Sequence, residues 1–86
     1  MKKIIEEVAG EGLESLLGQR VTLMCVNYFY TGELVGVNST CVLLKNPSIV
    51  YETGDWNQQS YDDEQALPTD LYVQTAAIEA FGVLNA

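Results

Sequence analysis

Residues 1–18 place Ile5, Val8, Ala9, Leu13, Leu16 and Leu17 at three- and four-residue steps, with Glu6, Glu7, Glu11 and Glu14 turned away from that stripe. The spacing predicts an amphipathic helix. Gly10 and Gly12 weaken its middle by about 1 kcal/mol each relative to alanine, and Gly18 is placed to end it in the left-handed region. From Gln19 the pattern changes: valine, threonine, leucine and tyrosine dominate, punctuated by Asn27, Gly32, Gly36, Asn38 and Pro47. This predicts strands over residues 20–26, 29–37 and 41–45, the last resuming at 49–52, with Asn38-Ser39-Thr40 as a tight turn. Gly36 inside the second strand predicts a sharp bend. Residues 53–68 are a polar excursion carrying Asp55, Asp62, Asp63 and Glu64 without a basic residue. Residues 71–84 fit two short strands or one helix equally, because Ala76, Ala77 and Ala80 favour helix while their neighbours favour strand. The whole reads as mostly β: one domain over residues 1–86, an N-terminal helix followed by a five-stranded, strongly bent antiparallel SH3-like small barrel.

Composition narrows the functions open to such a chain. At 86 residues its core is only just large enough to fold alone. A hydrophobic content of 48% is too high for a disordered tail, yet no run approaches the roughly 20 apolar residues of a membrane span. Lys2-Lys3 is followed by two isoleucines before Glu6 interrupts, short of the apolar run of a secretory signal, so the expected location is cytoplasmic. Twelve acids against four bases give a net charge of −8, which repels phosphate at long range. There is no histidine, so Ser-His and Cys-His nucleophile pairs are impossible. Cys25 and Cys41 lie in apolar runs without a neighbouring ligand type and read as reduced core thiols. Neither a phosphate-cradling glycine loop nor a metal-ligand spacing occurs; the expectation is a non-enzyme with no cofactor and no metal.

Residues 31–46, with Gly32, Leu34, Val37, Asn38 and the closing Leu43-Leu44-Lys45-Asn46, resemble the first motif of Sm and Sm-like proteins, particularly the bacterial RNA chaperone Hfq. Val73-Gln74-Thr75-Ala76 falls where that family carries its second motif. The resemblance implies first-motif strands over 19–52, an acidic variable insert over 53–68 and second-motif strands over 69–86. It further implies a homo-oligomeric closed ring of about five to seven subunits, in which final strands of neighbours pair.

In such a ring single-stranded RNA lies around the pore. The family's stacking, base-edge and basic positions fall on Thr40, Val42 and Gln74 here, which argues against a uridine-specific pocket. Asn38, Thr40, Gln74 and Thr75 still offer neutral hydrogen bonds, the bland alternative being turn chemistry and strand-end capping. Tyr28 and Tyr30 share one side of a strand and form a candidate stacking face, worth about 1 to 3 kcal/mol per base; core packing is their ordinary fate. Lys45 is a candidate phosphate contact. Trp56, Asp62, Asp63 and Glu64 form a candidate contact for a basic protein, with Tyr61 as a second exposed aromatic, because aromatics flanked by acids suit recognition surfaces. Two functions follow: a ring-forming Sm-like protein binding single-stranded RNA non-covalently in RNA metabolism, or a ring serving as a protein-interaction module without RNA.

Overall fold

The computed structural model describes residues 12–84. Six strands are present: β1 (Arg20–Cys25), β2 (Phe29–Val37), β3 (Cys41–Glu52), β4 (Asp63–Ala66), β5 (Leu71–Gln74) and β6 (Ile78–Gly82). They form one antiparallel sheet in the order β4-β3-β2-β1-β6, with β5 also on β3. The long β3 serves two partners: residues 41–44 pair with β5 and residues 48–52 with β4. Between those halves Asn46 takes φ 50, a left-handed conformation that asparagine tolerates, and Pro47 follows it.

The sheet bends where β2 crosses that kink. The β2–β3 register slips between Thr31 and Glu33 and again between Leu34 and Gly36, and such irregularities add local twist. Gly32 sits in the first slip, where the strands approach closely: a Cβ there would lie 3.2 Å from Leu44 Cβ, the Lys45 carbonyl and Pro47 Cα, so these neighbours would have to give way by a few tenths of an ångström. The expected bend at Gly36 coincides with the second slip.

Alternation then sorts the side chains. Val21, Leu23 and Cys25 from β1 meet Leu34, Val42, Leu44 and Val73 in one apolar core, with Leu13, Leu16, Tyr30 and Ile78 packed around it. Thr22, between two core residues, faces the other side, where Thr31 and Ser48 are also buried.

Two parts of the sequence expectation are corrected. The N-terminal helix has its first eleven residues outside the described ones; beyond them Gly12–Leu16 is a 3-10 turn, not α-helix. Gly12 at φ 68 interrupts the α path, and Gly18 at φ 86 ends the turn in the left-handed geometry expected of it. Nor is the architecture a five-stranded barrel with a loop insert. The insert contributes β4, because β3 runs on past Pro47 and offers residues 48–52 as an edge. Residues 71–84 form two strands joined by a second 3-10 turn, Thr75–Ala77. That turn carries the chain from β5 on the β3 edge to β6 on the β1 edge, so the sheet curls until Gln74 and Ile78 are at most about 14 Å apart, but β5 pairs with β3 and β6 with β1, leaving the sheet open.

Candidate functional site

The open seam leaves a concavity. The turn after β1 is closed by the Cys25 N–H donating to the Tyr28 carbonyl at 3.2 Å, and it faces β5 and the second 3-10 turn across a groove of about 230 Å³. Tyr28, Tyr30 and Tyr72 supply its aromatic wall, Asn27 and Gln74 its amides, and Val26 its rim. Burial does not account for these side chains: Val26 is 72% exposed, Tyr72 70%, Tyr51 50% and Tyr28 45%. Tyr51 belongs to the patch through an edge-to-face contact with Tyr28, ring centroids 5.9 Å apart and planes at 90°, a preferred aromatic geometry. The Tyr51 hydroxyl donates to Gln65 Oε1 at 3.3 Å, tying the patch to β4.

No lysine or arginine lines the groove, while the β3–β4 ladder sets Glu52 opposite Asp63 and Glu64 opposite Val50, beside Tyr51. Cys25 also lines the groove; burial first, and the Glu79 carboxylate second, push its thiol above the ordinary 9.0. A thiol held protonated is a poor nucleophile. Both cysteines are free. Among the described residues no cluster of three or more ligating side chains is suited to a metal ion, and no helix is long and apolar enough to cross a membrane.

The four residues expected at a pore do meet, at the C-terminal end of β5. Thr75 N–H donates to the Thr40 carbonyl at 2.9 Å, and Gln74 is the ladder partner of Cys41. Their polar groups, however, serve the turn. Asn38 Oδ1 accepts from Thr40 N–H at 2.8 Å, Thr40 Oγ1 at 3.1 Å and Cys41 N–H at 2.9 Å, and Thr75 Oγ1 donates to the Ser39 carbonyl at 3.3 Å. Gln74 is the exception, since it is exposed and belongs to the groove. Val42 is a core residue. Lys45 is exposed on β3 opposite Glu33 and does not line the groove. Tyr28 and Tyr30 both reach the groove, Tyr30 half-buried against the core.

The insert divides. Tyr61 is buried, its hydroxyl hydrogen-bonded to Thr22 Oγ1 on the far face of the sheet, so it anchors the segment instead of presenting it. Trp56, 45% exposed, stacks edge-on against Tyr61 with centroids 6.0 Å apart. Asp62 Oδ1 accepts from Gln58 Nε2 at 2.8 Å and is occupied locally, whereas Asp63 and Glu64 are exposed on β4. Sequence reasoning missed Tyr51 and Tyr72. The available signal was strand alternation, which puts each on the face opposite a core neighbour, Val50 and Val73 respectively.

Comparison with known proteins found no matching family model, no matching curated protein and no matching solved structure.

Proposed function

We propose that the chain is a non-catalytic protein-interaction module whose tyrosine-lined groove docks a basic segment of another protein. The observation that supports this reading is the exposed patch of Val26, Tyr28, Tyr51 and Tyr72 around a concavity lined by no cation, on a chain of net charge −8. Large apolar side chains gathered at the surface mark interaction sites. Tyrosine suits them because it brings contact area at little entropic cost. The surrounding negative field selects a positive partner and speeds its approach.

Single-stranded RNA is the second reading, supported by the same rings, since a base stacks on tyrosine without needing charge. Its phosphates meet an acidic surface, and the hydroxyls and the amide of Asn38, Thr40 and Thr75 are consumed in turn bonds. Titration of the isotope-labelled chain, followed by NMR, separates the two. A lysine- and arginine-rich decapeptide is expected to shift the Tyr28 and Tyr72 resonances, with affinity falling as salt rises. Oligo-U and oligo-A are expected to leave them unmoved; shifts from the oligonucleotides alone would reverse the order of the readings, and silence from all three ligands would remove both.

A further inference from the structure

We infer that the groove is an arginine pocket: it takes one guanidinium of the partner between the rings of Tyr28, Tyr30 and Tyr72, against the amides of Asn27 and Gln74. This rests on the docking role proposed above and names what the groove reads. Size sets the first limit. At about 230 Å³ the groove is smaller than the roughly 300 to 1,000 Å³ of sites that hold drug-sized ligands, so it admits one long side chain, not a nucleotide or a folded element.

Chemistry sets the second limit. Three tyrosines line the groove, and the face of a phenol ring attracts a cation within about 6 Å of its centre. A neutral aromatic occupant fills the same space but draws nothing from the charge of −8 and leaves the Asn27 and Gln74 carbonyls without a donor. Between the two cationic side chains, guanidinium is planar, weakly hydrated and carries five N–H donors in a fixed fork, so it can stack on a ring and bond to an amide oxygen at once. Ammonium holds its water more tightly and has no face to stack. No carboxylate lines the groove itself, so selectivity rests on the rings and amides while the acids of β3 and β4 attract from a distance.

Three neutral-backbone probes titrated into the labelled 86-residue chain test this: N-acetyl-arginine methylamide, its lysine analogue, and its citrulline analogue, which keeps the shape without the charge. The arginine probe is expected to move the Tyr28, Tyr72 and Gln74 signals, with lysine about tenfold weaker and citrulline weaker still. Tyr72→Leu should cost the arginine probe about fivefold or more in affinity and the lysine probe less, since ammonium loses only the ring's attraction for charge and no stacked face; with Tyr72 70% exposed, this substitution leaves the core untouched. Equal binding of arginine and lysine, equal binding of arginine and citrulline, or shifts confined to β4 and residues 53–62 would each overturn the pocket. Arginine and lysine binding equally still leaves a basic docking surface; failure of the basic decapeptide removes the docking role itself.

Discussion

The two faces of the sheet are held by different physics. On one, Val21, Leu23, Leu34, Val42 and Leu44 are buried against one another with no polar group to satisfy. On the other, Thr22, Thr31 and Ser48 are buried, and two of the three hydroxyls have partners that offset the cost of burial: Thr31 Oγ1 donates to the Val21 carbonyl at 2.9 Å, and Thr22 Oγ1 bonds to Tyr61. The apolar face supplies stability in proportion to area. The hydroxyl face supplies register, since its bonds work in one arrangement only. Truncating the apolar face gives the largest effect: Leu23→Ala, at a fully buried site, is expected to lower the unfolding free energy by about 2 to 5 kcal/mol in a denaturant titration. In a chain this short that removes much or all of the net stability.

The hydroxyl face responds differently, and a double-mutant cycle shows it. Tyr61→Phe keeps the ring against Trp56 but strands the Thr22 hydroxyl, and is expected to cost about 1 to 3 kcal/mol. Adding Thr22→Val removes the stranded group and should recover most of the loss, because deleting both partners of a buried bond is nearly neutral. Additive losses would mean that Tyr61 holds the insert through packing alone.

These two faces were unequally legible in the sequence. The sequence predicts strands over residues 20–26, 29–37 and 41–45, and β1, β2 and the first half of β3 lie within a residue or so of those bounds, because period-two alternation of large apolar residues is a strong local signal. β4 was invisible: all four of its residues are exposed, so Asp63–Ala66 has no alternation to read, and its pairing depends on β3 continuing past Pro47. Over residues 12–16 the three-residue step of the expected helix is met by a 3-10 turn as well, since Leu13 and Leu16 are three apart and both pack on the core. Alternation alone puts Tyr28 and Tyr30 on one side. The groove has no such local signal, because Tyr72 joins them only through the pairing of β5 with β3 and the crossing of residues 75–77 to β6.

Cys25 sits where the apolar core meets the groove, and its ionisation gives a pH-dependent effect. Its folded thiol loses its proton at higher pH than the unfolded one, through burial and then Glu79. The folded state therefore holds the proton where the unfolded state has released it, so the contribution is intact below the ordinary thiol value and declines as pH rises past about 9. Stability measured from pH 7 to 10 should fall in the parent chain and fall less in Cys25→Val. An identical slope in both would assign the alkaline loss to other groups.

The smallest effect expected has the opposite sign. Glu52 and Asp63 face each other across the β3–β4 ladder, and like charges directly opposite destabilise a sheet. Asp63→Asn is therefore expected to raise stability slightly, by about 0.2 to 0.5 kcal/mol at low salt, and the gain should shrink as salt screens the pair. The same substitution removes one acid from the approach to Tyr51 and the groove, so it should slow association with a basic decapeptide while leaving its dissociation nearly unchanged. Stability and capture thus pull on one carboxylate in opposite directions. Were Asp63→Asn to raise stability without touching the association rate, the acids of β4 would belong to the fold's surface alone, and the docking role would rest on the tyrosines by themselves.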